Sequence, residues 1–320
     1  MKEQLLHIKS PPFTLARFTV QRLMLLVIAA LVPAIGAGYV FFGTPALMHI
    51  FLTTLTAMLC EGILQWLLRK PITVLDFSAA VTGLLLGVNL PPAAPYWIGP
   101  VGAVVAIVIV KQTFGGLGCN FVNPALTARA LLLASWPSEM VSFVRPYDAV
   151  TTATPLSLIA GSDPFSNTPT MFQLFIGEVA GTIGETSALA LLLGGLLLVF
   201  LNVIDVRIPL GILGTVFVIS SLFSGPEFTF GFNLSFGLYQ LLSGGVILGA
   251  FFMATDYVTS PVTLKGRWVY AIAIGVITVL IRFWGRYPEG ISFAILIMNI
   301  AVPLIERFTM PRGFGEVNVK

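Results

Sequence analysis

The first long apolar run of the chain, residues 22–42, reads RLMLLVIAALVPAIGAGYVFF, and the next run, residues 45–68, reads PALMHIFLTTLTAMLCEGILQWLL. Each is about as long as the roughly 20 apolar residues that an α-helix needs to cross a bilayer. The whole chain has the same character, since 57% of its 320 residues are hydrophobic and only 10% are charged. Soluble domains carry roughly 25% charged residues. The sequence therefore predicts an all-α integral membrane protein.

Further apolar runs, separated by Pro, Gly and charged residues, bring the prediction to about ten transmembrane helices. The predicted helices are 22–42, 45–68, 75–90, 96–112, 123–135, 174–201, 208–223, 237–255, 268–284 and 290–306. Several are too short to span a bilayer. Short helices that end at Gly or Pro must be shielded by protein, because unpaired backbone groups are costly in hydrocarbon. Interrupted helices of this kind often mark a site in the membrane interior.

The two halves of the chain show a weak internal similarity. The stretch GLLLG at 83–87 recurs as GVILG at 245–249. Five helices per half would orient the two copies oppositely, which predicts an inverted repeat with short or broken helices. The predicted regions are an N-terminal segment (1–21), a first five-helix half (22–136), a loop (137–173), a second five-helix half (174–307) and a C-terminal tail (308–320).

Positive charges give the predicted orientation. Thirteen of the seventeen Lys and Arg residues fall on one side of the ten-helix arrangement, and such an excess marks cytoplasmic segments. Both termini are therefore expected in the cytoplasm, and the loop 137–173 is expected outside the cell membrane. We expect no removable signal peptide, because no small-residue cleavage site follows the polar N-terminus. A net charge of only +3 offers no nucleic-acid-binding patch.

Residues 111–129, KQTFGGLGCNFVNPALTAR, join two apolar runs and hold several candidate ligands. The glycines permit positive φ or close backbone approach, and Asn123 can cap the following helix. A helix N-terminus can receive an anion or the polar edge of a ring, while a tight capped turn is the purely structural alternative. The candidate cofactor-binding residues in this stretch are Gly115, Gly116, Asn120, Asn123 and Arg129.

The predicted outer loop contains DAVTTATPL at residues 148–156. A threonine hydroxyl is a poor nucleophile, and no base stands nearby in the sequence, so self-catalysed chemistry is not expected. Consecutive threonines before a proline also cap helices or form turns. The residues alone leave a turn and a functional motif both open.

Ionisable residues in or beside apolar runs are functional candidates by default, because an ionised group in hydrocarbon is costly. The candidates for an ion pathway are Asp256, Asp76 and Glu61, and Glu178 and Glu185 lie in similar surroundings. Asp76 also stands at a predicted helix start, where a carboxylate favours the helix dipole. The lone cysteines Cys60 and Cys119 are interpreted as small buried side chains, with a redox or metal role left open. No metal site is predicted.

Three segments, GGLGCNFVNPALTAR (115–129), DAVTTATPL (148–156) and MATDYVTSP (253–261), together resemble the RnfD/NqrB family of membrane subunits. This family belongs to the Rnf and Na⁺-translocating NADH:quinone oxidoreductase complexes. The resemblance extends over nearly the whole chain. It implies the same ten helices in two inverted five-helix halves, and the short N-terminal segment resembles the Rnf subunit more closely.

The resemblance also implies a covalent flavin. In the family, a Ser/Thr–Gly/Ser/Thr–Ala–Thr motif is modified outside the membrane by a dedicated flavin transferase. The FMN phosphate forms a phosphoester with the last threonine. The motif residues here are Asp148, Thr151, Thr152, Ala153 and Thr154, with Thr154 as the implied attachment site. Thr152 is a mild departure, since many members carry Gly or Ser there. A second, non-covalent flavin, riboflavin, is implied among the helices.

By resemblance, the chain is a flavin-carrying subunit of an inner-membrane complex that passes electrons between ferredoxin and NAD⁺ and translocates Na⁺ or H⁺. The implied partners are other membrane and peripheral Rnf-type subunits, among them a second FMN-bearing subunit and iron–sulfur subunits, together with the flavin transferase and membrane lipid. The chain itself has no nucleotide-binding glycine loop and no iron–sulfur cysteine set. The NAD and ferredoxin sites are therefore expected on other subunits, and no catalytic residue is assigned here.

Two other functions fit the membrane architecture. Inverted five-helix repeats with broken helices also build urea- and ammonium-type channels, so a solute channel or transporter is the first alternative. The second is a scaffold that only anchors redox partners.

Overall fold

A computed structural model describes residues 19–148, 150–159, 168–224, 229–285 and 289–310. The described chain is helical apart from one short antiparallel hairpin, Phe223–Ser224 with Thr229–Phe230. The first-half helices are α1 (Val20–Phe42), α2 (Thr44–Leu67), α3 (Ser78–Val88), α4 (Ile98–Val104, continuing as the π-helix Val105–Gln112) and α5 (Pro124–Ser135). The connecting helices are α6 (Pro137–Met140), α7 (Pro155–Ile159) and α8 (Met171–Ile176). The second-half helices are α9 (Ala188–Phe200), α10 (Arg207–Leu222), α11 (Leu234–Leu242), α12 (Val246–Leu248, continuing as the π-helix Gly249–Met253), α13 (Leu264–Trp284) and α14 (Ile291–Thr309).

Four helices of the described chain are long and apolar enough to cross a membrane, namely α1, α2, α13 and α14. The pair α11–α12 passes the same test as a unit, with a 69° bend between its two parts. Five shorter apolar helices, α3, α4, α5, α9 and α10, complete the set. The described residues thus contain ten apolar units: four long helices, one bent pair and five shorter helices. Because several of them can cross a membrane, the prediction of a multi-pass membrane protein is confirmed. The inverted repeat stays a prediction.

Two predicted helices are wrong in their extent. The predicted helix 174–201 is broken, because α8 ends at Gly177 with φ of 118° and α9 begins only at Ala188. The predicted helix 237–255 is broken at Ser243–Gly244, where Gly244 has φ of 67°. Both breaks need the left-handed backbone that glycine adopts without steric cost.

The predicted non-helical loop between Pro137 and Thr170 also contains the short helices α6 and α7. In the first half, α2 packs against α3 and α4; in the second, α10 packs against α13. A single large apolar cluster runs through both halves and includes Leu31, Leu86, Ile183 and Ile274, all fully buried. The two halves therefore share one core rather than forming separate bodies.

Candidate functional site

The DAVTTATPL motif lies on an extended segment pinned to the chain just before it. Thr151 pairs with Val144 in an isolated antiparallel bridge, and the Thr152 N–H donates to the Phe143 carbonyl at 3.0 Å. The Arg145 N–H in turn donates to the Val150 carbonyl at 2.9 Å. Backbone pairing therefore fixes residues 150–152, while their side chains stay exposed.

Thr154 stands at the end of this segment, immediately before α7, and is partly exposed. Its Oγ1 lies 3.1 Å from Ser157 Oγ and accepts the Ser157 N–H at 3.3 Å. This is the turn-capping arrangement that the threonine–proline pattern also favours. Among the described residues, no carboxylate or imidazole is hydrogen-bonded to Thr154 Oγ1, so an external base would have to remove its proton.

Thr154 also lines a small cavity whose far side is polar. The cavity encloses about 360 Å³, part of it open to the surroundings, and Glu185, Thr186 and Glu289 lie along it. Thr186 is 2% exposed and its hydroxyl has no hydrogen-bond partner in the described structure. The implied attachment threonine therefore shares a cavity with two carboxylates that the sequence places more than 30 residues away.

Arg129, on α5, holds those two carboxylates. Its guanidinium forms ion pairs with Glu289 and with Glu185, the latter at 3.6 Å, and donates to the Ser292 hydroxyl. Arg129 and Glu185 are both buried. Burial of charged groups is tolerated only when they are paired and hydrogen-bonded. Arg129 thus joins the first half of the chain to the second and does not line the inner cleft described below.

Arg282, near the end of α13, closes the break between α11 and α12. It donates to the Gln240 carbonyl, to Gln240 Oε1 at 2.9 Å and to the Ser243 carbonyl at 2.8 Å. These are the carbonyls that a helix C-terminus leaves unpaired. Glu185 reaches the same break, where a Cβ at Gly245 would overlap its carboxylate.

A second cavity lies between the halves at the opposite ends of α1 and α9. This inner cleft encloses about 810 Å³, part of it open, and its polar lining includes Asn120, Asn123, Lys111, Ser78 and Asp256. Apolar side chains of α1, α3, α9 and α12 form the remainder, among them Met24, Leu85, Leu198 and Phe252. Only about 100 Å³ of the cleft is accessible to a water-sized molecule, but its apolar walls with a few convergent polar groups are the usual lining of a small-molecule site.

Asn123 connects two of the motifs that line the inner cleft. Its Oδ1 accepts the N–H groups of Ala125 and Leu126, so it caps α5 as predicted. Its Nδ2 donates to the Met253 carbonyl at 3.3 Å, which ties the segment 115–129 to the segment 253–261. Asp256 is held by the Val258 N–H and the Thr259 hydroxyl.

The predicted ion-pathway residues do not form one continuous group. Asp76 caps the start of α3 by accepting the Ser78 N–H at 2.7 Å, as its position predicted. Glu61 is buried against Lys111 at 2.7 Å and accepts from the Gln112 amide. Of the three candidates, Asp256 lines the inner cleft.

The remaining sequence predictions have mixed outcomes. Gly115 and Gly116 adopt φ of 122° and 102°, as their expected role in a turn requires. The cysteine interpretation is wrong, because Cys119 is exposed and Cys60 only partly buried. The described residues contain no group of three or more His, Cys, Asp or Glu placed to hold a metal.

The sequence motifs indicate no role for Lys111, Arg282 or Glu289. Lys111 and Arg282 are both buried, at 2% and 8% exposure. A cation beside a long apolar run was the available signal. Their partners lie 33 to 160 residues away along the chain, so no local pattern could name them.

The fold and its cavities define the class of this protein: it is a multi-pass helical membrane protein whose two halves enclose polar cavities. A family profile described as the NQR2, RnfD, RnfE family matches residues 7–315. The chain belongs to this family, as the sequence motifs predicted.

The chain is similar to curated relatives over its full length. It is 50% identical to the D subunit of the Na⁺-translocating ferredoxin:NAD⁺ oxidoreductase complex of Acetobacterium woodii, with 100% of this chain and 98% of the relative covered. It is 39% identical to the D subunit of the proton-translocating ferredoxin:NAD⁺ oxidoreductase complex of Clostridium ljungdahlii, covering 98% of each. It is 38% identical to the D subunit of an ion-translocating oxidoreductase complex of Stutzerimonas stutzeri, covering 94% and 93%. The homologues are thus subunits of ion-translocating oxidoreductase complexes.

Proposed function

We propose that this chain is the flavin-carrying membrane subunit of an Rnf-type complex, with FMN bound covalently through Thr154. The observation that carries the proposal is the placement of Thr154. It follows an exposed segment that backbone hydrogen bonds hold in place, and Thr154 itself is partly exposed. A modifying enzyme needs this combination of access and fixed position.

The attachment chemistry requires an activated flavin donor. A flavin–adenine dinucleotide supplies one, because its pyrophosphate links FMN to AMP. The Thr154 oxygen would bond to the FMN phosphorus, the pyrophosphate bond would break, and AMP would leave. The hydroxyl proton would pass to a base of the transferase, since the described chain offers none at Thr154.

We further propose that the inner cleft holds the non-covalent riboflavin. Asn120 and Asn123 offer amide donors and acceptors that match the polar edge of a flavin ring, while Leu85, Leu198 and Phe252 offer apolar surface. Asn123 already uses its oxygen for the α5 cap and one Nδ2 hydrogen for the Met253 carbonyl, so the second Nδ2 hydrogen is the donor left to meet a ligand. A bound flavin supplies one- and two-electron transfer, and surrounding protein groups tune its potential.

The remaining parts of the proposal concern topology and partners. The chain has ten spans in two inverted halves, both termini in the cytoplasm and the Thr154 loop outside. Electrons reach Thr154-bound FMN from a partner subunit, and transfer between ferredoxin and NAD⁺ is coupled to Na⁺ or H⁺ translocation. The relatives' names describe this activity for their own complexes. The NAD and ferredoxin sites lie on other subunits.

Membership in this family favours a redox subunit over a solute channel or a passive scaffold, and in-gel flavin fluorescence after denaturing electrophoresis separates the three. The chain is coexpressed with its flavin transferase as wild type, Thr154→Ala and Thr151→Ala. We expect a fluorescent band that Thr154→Ala loses and Thr151→Ala keeps. A wild-type band without flavin fluorescence would refute the proposal of a covalent flavin.

A further inference from the structure

A broad groove lies beside the Thr154 loop, at the ends of α1 and α2 and against the α3–α4 connection. It encloses about 1180 Å³, part of it open to the surroundings. The aromatic groove, as we call it, is lined chiefly by Phe41, Tyr96, Arg145 and Tyr147, with Pro92 and Pro95 at one wall. It is the largest of the three cavities described in this structure.

The two tyrosine side chains that line the aromatic groove are partly exposed and are not packed into the protein core. Tyr147 is 68% exposed and Tyr96 is 48% exposed. Tyr147 packs edge-on against Phe41 with ring centroids 5.9 Å apart, and Tyr96 rests on buried His49 at 4.9 Å. Each tyrosine is thus supported from behind and keeps surface free. Supported aromatic rings with free faces form a platform for another planar ring.

The wall of the aromatic groove and the flavin motif are one hydrogen-bonded unit. Val144 and Arg145, which line the groove, pair with Thr151 and Val150 through the backbone contacts given above. The Tyr147 N–H donates to the Phe41 carbonyl, which joins the same wall to α1. Thr154 is three residues beyond Thr151, so their Cα atoms are at most about 10 Å apart even in a fully extended chain. A ribityl phosphate on Thr154 extends that reach further.

The cavity that Thr154 lines directly is the competing place for a flavin ring. Of its empty space only about 20 Å³ is accessible to a water-sized molecule, far below the roughly 300–1,000 Å³ of ligand pockets. The charged residues that line it are Glu185 and Glu289, which are already ion-paired to Arg129, and no cation is among its described lining residues, so it offers no attraction to a ring that gains negative charge on reduction. The aromatic groove instead offers Arg145, an exposed cation on its wall.

We propose that the aromatic groove holds the isoalloxazine ring of the FMN attached to Thr154, with Tyr96 and Tyr147 against the ring and Arg145 as the cation beside it. This inference rests on the proposed function. Arg145 favours the reduced, more negative form of the ring, so it sets the potential at which the flavin accepts electrons. Tyrosines at a membrane surface also form aromatic belts, which is the structural alternative.

The test uses the purified, flavin-loaded complex with Tyr147→Leu, Arg145→Gln, Thr186→Val and Tyr39→Leu. Tyr39 is the control, because it is another exposed tyrosine, at 48% against 68% for Tyr147, and it lies on α1 without lining the groove. The signal of the Thr154-bound flavin is obtained by subtracting the flavin signal of the Thr154→Ala complex from that of the wild-type complex. The readouts are its fluorescence anisotropy, its quenching by iodide and its reduction potential by spectroelectrochemistry.

We expect Tyr147→Leu to lower the anisotropy and raise iodide quenching toward those of free FMN, and Arg145→Gln to lower the reduction potential. Tyr39→Leu and Thr186→Val should match wild type. The proposal is overturned if Tyr147→Leu and Arg145→Gln keep a fluorescent band but behave like Tyr39→Leu, or if Thr186→Val produces the changes instead. A missing band in the wild type would overturn the proposed function itself, and this inference with it.

Discussion

Arg129 offers the sharpest test of how the two halves are held together. Replacing it with methionine keeps an unbranched apolar stem but leaves Glu185, whose side chain is 3% exposed, without its cation. Removing one partner of a buried ion pair costs roughly 3–5 kcal/mol. Arg282 also acts electrostatically on both carboxylates, so we take the lower end, about 3 kcal/mol.

The assay is thermal unfolding in detergent, followed by intrinsic fluorescence at one fixed scan rate, because heating of membrane proteins is often irreversible. With roughly 2–4 °C per kcal/mol for chains of 150–250 residues, Arg129→Met should lower the apparent Tm by roughly 6–12 °C. Arg22→Met is the matched control, since Arg22 is exposed, and surface substitutions stay within about 0.5 kcal/mol. Arg129→Met combined with Glu185→Gln should recover part of the loss. An unchanged Tm in Arg129→Met would refute the reasoning.

Two further predictions address helix packing and a surface ion pair. A Cβ at Gly194 would overlap the Ala30 carbonyl, so Gly194→Ala should cost about 1–3 kcal/mol by overpacking, while Gly214→Ala, which meets open space, should leave the Tm unchanged or slightly raised. Asp205 lies between α9 and α10, where burial acts to raise its pKa, but the Arg207 N–H and the Arg267 guanidinium outweigh burial and hold the pKa below its usual value. Its ionised form therefore stabilises the fold above about pH 4, and this contribution is lost as pH falls through the lowered pKa. The Tm of the wild type should therefore fall on acidification, whereas Asp205→Asn should have a lower Tm at neutral pH and a smaller fall. Identical dependence of the Tm on pH in the two proteins would contradict this role of Asp205. A Gly194→Ala variant as stable as Gly214→Ala would contradict the close packing at Gly194.

Much of the helical frame could be predicted from the sequence. The ends of α1 and α2 were predicted to within two residues, because each run is predominantly apolar and stops near Gly, Pro or charge. The cap at Asn123 and the turn glycines Gly115 and Gly116 were also predicted correctly, since these roles depend on neighbours within three residues.

The break at Gly244 and the charge network could not be predicted. Gly244 interrupts a run whose apolar composition continues on both sides, and glycine in such a run is also tolerated inside a helix. The polar stretch EVAGTIGETS after Gly177 was an available signal for the other break. What stabilises the break at Gly244 is Arg282, which lies 39 residues beyond its partner Ser243. Only the folded chain brings these groups together, which is also why Glu289 had no local signal.

The most direct test of the central claim is the mass of the proteolytic peptide that carries Thr154, taken from the purified chain after coexpression with the transferase. The account predicts a peptide heavier by FMN less one water, with fragment ions that place the addition on Thr154 and not on Thr151 or Thr152. It also predicts an unmodified peptide from Thr154→Ala. A wild-type peptide of unmodified mass, or an addition on another residue, would contradict it.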